Sequence, residues 1–120
     1  MLNGGGGKNT LDYSSYSKNI FAHLGEKTVT GLGSFLNISH LIGTDNHEDS
    51  IQGPNRWNIW ALPKSGSPGF VSGYDFEKFD NVIGGKCRDG FIIIDEEKIP
   101  GIIDGGKEGT STIYGPDEDN

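Results

Sequence analysis

Brief alternations of apolar and polar residues, cut at short intervals by glycine, run through the whole chain. Ile20-Phe21-Ala22-His23-Leu24 sets Ile20, Ala22 and Leu24 on one face, which is the period of a half-buried strand. Residues 27–30 read as its return strand after the Gly25-Glu26 turn. Residues 57–62 are apolar on both faces, the pattern of a strand covered from two sides. Residues 70–74, 91–95 and 99–104 complete the expected strands, and Pro100 demotes the last to an edge or a bulge. Phe35, Ile38, Leu41 and Ile42 have helical spacing, but glycines flank the stretch on both sides, so a bent strand or corner is expected over 35–41. Thirteen isoleucines against seven leucines favour pleated strands. Twenty glycines and five prolines at punctuating positions exclude long helices.

The pattern repeats. Val29-Thr30-Gly31 leads to Phe35, Ile38 and Leu41-Ile42-Gly43; Val71-Ser72-Gly73 leads to Phe76, Phe79 and Val82-Ile83-Gly84, an offset of 41 residues from Phe35 to Phe76. Each segment runs into a turn that ends in an acid and an apolar residue, Asp49-Ser50-Ile51 and Asp89-Gly90-Phe91. Leu2-Asn3-Gly4-Gly5 is echoed by Ile103-Asp104-Gly105-Gly106, 101 residues on. Such recurrence means units that bury their apolar edges against neighbours, so a chain with barely one long period presents ends suited to neighbouring repeats. One module over residues 1–115 and a frayed acidic tail over 116–120 are expected.

Gly4-Gly5-Gly6-Gly7-Lys8-Asn9-Thr10-Leu11-Asp12 fits the nonapeptide G-G-x-G-x-[D/N]-x-U-x, in which turn carbonyls and one Asx oxygen can face Ca²⁺ before a short strand begins. With Thr10-Leu11-Asp12-Tyr13-Ser14, the phrase from Phe76 to Phe91 and the restart at Ile103-Asp104-Gly105-Gly106, the chain resembles the repeats-in-toxin (haemolysin-type calcium-binding) family, and more closely the long modules of giant bacterial surface proteins and adhesins. The resemblance implies an all-β, right-handed parallel β-solenoid (β-roll or β-helix), export without a cleaved N-terminal signal, and ordering by calcium. The positions matching the family's ligand are Asn9, Asp49, Asp89 and, in the last repeat, Ser111. Asp45-Asn46-His47-Glu48-Asp49 is the densest oxygen cluster and adds Asp45 as a candidate ligand. The motifs stand alone and not in tandem, Asn9 has no charge, and Lys86 and Arg88 set positive charge beside Asp89.

Composition narrows the partners. A net charge of −7 makes nucleic acid and anionic membranes poor ones and suits bound divalent cations. The single cysteine, Cys87, cannot form an internal disulfide. Met1-Leu2-Asn3 and the glycines that follow have neither the basic region nor the apolar run of a secretory signal, which leaves a protein that stays inside, one exported by a non-classical or C-terminal signal not visible in this stretch, or a piece of a longer chain; the repeats favour the last two, and an extracellular or cell-surface place is expected. No segment approaches the ~20 apolar residues of a membrane span.

Enzyme signatures are lacking. Ser14, Ser15 and Ser17 have no G-x-S-x-G context, His23, His40 and His47 share no metal-ligand spacing, and the glycine run is followed by no Lys-Ser/Thr at P-loop spacing. Asp95, Glu96 and Glu97 read as an exposed turn rather than a pair across a cleft. Trp57 and Trp60, three apart, would face opposite sides of a flat strand, one in the core and one available to a sugar ring. The expected function is thus non-enzymatic: a structural or adhesive repeat module of a secreted or surface protein, ordered by calcium. A carbohydrate-binding module attached to a polysaccharide-modifying enzyme is the alternative.

Overall fold

The computed structural model describes residues 1–45, 48–62, 69–85, 89–93, 102–105 and 112–114. Among these lie fourteen short strands and no helix. The first seven are β1 (Leu2–Asn3), β2 (Thr10–Asp12), β3 (Phe21–His23), β4 (Thr28–Val29), β5 (Gly33–Leu36), β6 (His40–Ile42) and β7 (Ser50–Gln52). The rest are β8 (Asn58–Leu62), β9 (Gly69–Val71), β10 (Tyr74–Glu77), β11 (Asn81–Ile83), β12 (Asp89–Ile93), β13 (Ile102–Asp104) and β14 (Thr112–Tyr114). They form two seven-stranded sheets, ordered β1-β5-β4-β3-β7-β11-β13 and β14-β12-β8-β9-β10-β6-β2. The inward residues of both sheets, Ala22, Val29, Phe35, Ile51 and Val82 from the first and Leu41, Trp60, Leu62, Val71, Phe76 and Phe91 from the second, belong to one core.

This corrects the expected right-handed parallel β-solenoid. Both sheets are mixed: β3–β4, β4–β5, β8–β9 and β9–β10 pair antiparallel, whereas the pairs that β7, β11, β12 and β6 make are parallel. The cause is local turn geometry. Ser72 and Gly73 both take positive φ (46° and 88°), the requirement of a two-residue hairpin whose twist matches its strands. Gly31 takes φ 83° between β4 and β5. The repeated Val-x-Gly phrase is therefore a hairpin turn in both copies and not the corner of a parallel winding.

The 41-residue recurrence has a structural meaning. The antiparallel run β3-β4-β5 in the first sheet is matched by β8-β9-β10 in the second, and each is followed by a strand that crosses to the opposite sheet, β6 and β11 respectively. Asn37 and Lys78, 41 residues apart, both sit in the left-handed region (φ 59° and 65°) just before that crossing. Phe35 and Phe76, then Ile38 and Phe79, then Leu41 and Val82, are buried at matching places. Two similar units thus pack as counterparts, each giving a meander to one sheet and a strand to the other.

Several sequence expectations survive in detail. Ile20, Ala22 and Leu24 are all buried, and β4 is the return strand of β3. The 35–41 stretch is two strands joined at the Asn37 corner, with no helical turn. Residues 70–74, read as one strand, instead span the β9–β10 hairpin. Parts of the 91–95 and 99–104 strands, Cys87, Ser111 and the 116–120 tail lie outside the described residues.

Candidate functional site

Asn9, Asp49 and Asp89 recur at 40-residue spacing, and the fold gives the first two the same station. Ser39 and His40 donate their backbone N–H groups to the Asn9 carbonyl; Asp80 and Asn81 do the same to the Asp49 carbonyl. Each residue thus locks the start of a strand against the parallel strand beside it.

The side chains complete these corners by hydrogen bonding. Asp49 is fully buried; its Oδ1 accepts from the Ile20 N–H (2.9 Å), and its Oδ2 accepts from both the N–H and the hydroxyl of Thr44 (2.7 Å each). Asp89 is equally buried, and its Oδ1 accepts from Asn58 Nδ2 (2.9 Å) and, at longer range, from the Trp60 indole N–H (3.4 Å). Its Oδ2 has no hydrogen-bond partner among the described residues. Burial pushes the Asp89 carboxyl up from the ordinary carboxylate range, opposed by the Asn58 and Trp60 bonds and by the nearby Gly85 N–H. The Thr44 hydroxyl has no counterpart here, because a Cβ at Gly85 would collide with the Pro54 carbonyl oxygen. At Asn9 the polarity is reversed: its Nδ2 donates to the Asn37 carbonyl (2.8 Å) and faces the carbonyls of Gly5, Gly6 and Gly7 at 3.2–3.4 Å. Asn58 does likewise, its Nδ2 set among the Pro54 and Arg56 carbonyls (2.8 Å each) and Asp89 Oδ1.

This donor set fits calcium poorly. A hard cation needs six to eight oxygens aimed at one point. Here amide nitrogens occupy the centres of two carbonyl cages, and the oxygens of Asp49 already accept N–H and O–H donors that an ion would have to displace. Asp45 is exposed and pairs with Lys78, while Asn46 and His47 lie outside the described residues. No three His, Cys, Asp or Glu side chains converge on one point among the described residues. The melting temperature is therefore expected to be the same in millimolar Ca²⁺ and in chelator, followed by circular dichroism; a rise of several degrees with Ca²⁺ would show that a corner opens to admit the ion.

The two tryptophans divide as their spacing implies. Trp60 has no exposed surface, and its ring meets Phe76 and Phe91 edge to face at 5.7 and 5.6 Å. Trp57 is 66% exposed. It precedes β8, whose residues alternate between core and outside. The outer face of that strand is not covered as its apolar pattern implies: Ile59 is 44% exposed. On the same face Phe70 is 47% exposed, and the strand register places Phe70, Ala61 and Ile92 side by side across β9, β8 and β12. Beyond Phe70 the row turns polar, with Asp75 and then His40 at the next two register positions and a His40–Glu77 pair at 2.7 Å. Sequence alone could not find this apolar half-face, since the neighbours come from three strands.

No family model, no curated protein and no solved structure matches this chain.

Proposed function

We propose that the chain is a structural and adhesive module of a secreted or cell-surface protein, and that its adhesive contact is with glycan through the outer face of the second sheet. The observation behind this reading is the apolar row Phe70–Ala61–Ile92 with exposed Ile59 on the same strand as Ala61, on a sheet whose other face is packed into the core, and with exposed Trp57 one residue before that strand. An exposed indole offers a flat, polarisable surface to the C–H face of a sugar ring. Side chains held by a sheet lose little freedom when a ligand binds, which lowers the cost of weak contacts. The order of the glycine phrases and their resemblance to bacterial adhesin modules support the structural half of the reading. In it, buried Asx corners hold the strand starts in place of calcium. No helix among the described residues is long and apolar enough to cross a membrane.

A glycan array followed by titration of the bound oligosaccharide tests the proposal. Trp57→Ala is expected to weaken binding about tenfold or more, roughly 1.4 kcal/mol, with the melting temperature unchanged. An array on which the protein binds no glycan counts against it. A carbohydrate-binding module of a polysaccharide-modifying enzyme is the second reading; the same exposed Trp57 favours it, and the two differ in what the chain is attached to.

A further inference from the structure

A groove of about 570 Å³ opens where three turns meet: the β3–β4 connection, the Pro54–Arg56 loop and the Ser72-Gly73 hairpin. Its volume lies within the roughly 300–1,000 Å³ of small-molecule sites. The charged residues that line it are Lys27 and Arg56, both cations, in a chain of net charge −7. Neither belongs to the ion pairs formed among the described residues, which are His40–Glu77 and Lys78–Asp45. Lys27 holds φ 57°, a conformation that a glycine adopts freely and that a residue with a side chain adopts at a cost, so a cation stands at the rim despite the backbone preference. Tyr74 also lines the groove; burial raises its phenol above the usual range against the pull of Arg56, so it stays a proton donor. Leu24, Ile38 and Pro54 supply apolar wall. Ser72 gives its hydroxyl proton to Asn58 Oδ1, leaving its oxygen to accept.

We propose that this groove binds a sugar carrying a carboxylate, a uronic-acid unit, with the carboxylate between Arg56 and Lys27 and the ring hydroxyls on Tyr74 and Ser72. The proposal rests on the glycan reading above and deepens it; Trp57, the exposed ring of that reading, directly follows Arg56 in the chain. Glu26 and Asp75 are sequence neighbours of Lys27 and Tyr74, yet neither lines the groove. Lys27 and Arg56 are the charges that line the groove, and Glu26 beside Lys27 opposes only part of their attraction for an anion. A guanidinium meets a carboxylate in a planar, two-bond geometry that a lysine cannot reproduce, so Arg56 should contribute more than Lys27.

The test is titration of the whole chain with trigalacturonate and with its neutral methyl ester, followed by amide chemical shifts. The acid is expected to bind at least tenfold tighter than the ester. Arg56→Gln is expected to remove that preference while leaving ester binding unchanged, Lys27→Gln to reduce it severalfold, and Lys18→Gln, outside the groove with the same charge change, to leave it intact. Equal affinities for acid and ester overturn the proposal, as does displacement of trigalacturonate by equimolar inorganic sulfate, which would make this an anion site indifferent to sugar. Loss of ester binding in Trp57→Ala with no effect of Arg56→Gln sinks the groove and keeps the outer face. Loss of acid binding in Arg56→Gln with Trp57→Ala unaffected keeps the groove and sinks the outer face. No binding of either probe overturns both.

Discussion

Asp49→Asn is expected to destabilise the protein by roughly 2–4 kcal/mol, while Asp89→Asn costs under about 1 kcal/mol at pH 7. The two residues occupy the same place in the repeat and differ in how their oxygens are used. Asp49 accepts three donors, from Ile20 and twice from Thr44. An amide has one acceptor oxygen, so the substituted side chain must turn an N–H₂ toward either the Ile20 N–H or the Thr44 pair, and a buried donor left facing a donor costs about 1–3 kcal/mol. Asp89 accepts only at Oδ1. Its Oδ2 and the Gly105 carbonyl oxygen both crowd the point above Gly84 where a Cβ would stand, the latter at 2.6 Å. Because Oδ2 accepts from no described residue, an amide N–H₂ in its place breaks no hydrogen bond.

The same asymmetry gives a pH signature. The folded-state pKa of Asp89 lies above its unfolded value, because burial disfavours the anion. Between those two values the folded state holds a proton that the unfolded state has released, so this group's contribution to stability rises as pH falls through the folded pKa and is complete below the unfolded one. Wild type should gain on Asp89→Asn when urea unfolding is repeated at pH 4 instead of pH 7. If the gap between the two proteins is the same at both pH values, or if Asp49→Asn is as mild as Asp89→Asn, the hydrogen-bond assignment of these corners is wrong.

That contrast also marks where sequence stops being readable. The 40-residue spacing of Asn9, Asp49 and Asp89 is plain in the chain, and so is the acid-then-apolar phrase that starts a strand. The chemistry of each corner is not, since one donor to Asp49 comes from Ile20 and the donor nearest Asp89 from Asn58, 29 and 31 residues away, and only Thr44 is local. Without those partners a buried acid after a glycine turn looks like an ion ligand. The hairpins are hidden for another reason: Thr30-Gly31 and Ser72-Gly73 are weaker turn signals than Asn-Gly, and one glycine per turn fits a corner as well as a reversal. Strand faces are legible wherever alternation is strict, as at Ile20, Ala22 and Leu24. What covers a face is not, which is why the apolar run around Ile59 implies a sandwiched strand and the residue is exposed.

Trp60→Ala should be the most damaging core substitution, at about 3–5 kcal/mol. Trp60 has no exposed surface, lies edge to face with Phe76 and Phe91, and presses on Gly53 so closely that a Cβ there would stand 2.8 Å from its ring. Its counterpart across the repeat is Ala22, to judge by register: Ala22 sits between Val29 and Ile51, and Trp60 between Val71 and Phe91. One half of the molecule therefore fills its central rung with an indole where the other uses a methyl, so truncation at 60 removes the ring packed against Phe76 and Phe91 and leaves a cavity there. Chains of this size are stable by about 5–15 kcal/mol, so the variant should melt roughly 10–20 °C lower, or not fold at 37 °C. Trp60→Phe, which keeps most of the ring, should recover more than half of the loss. Trp57→Ala, by contrast, should stay within about 0.5 kcal/mol of wild type, as exposed substitutions do. Thermal unfolding by circular dichroism decides between these outcomes: similar melting temperatures for the two alanine variants would mean that Trp60 is not the residue on which the two sheets close.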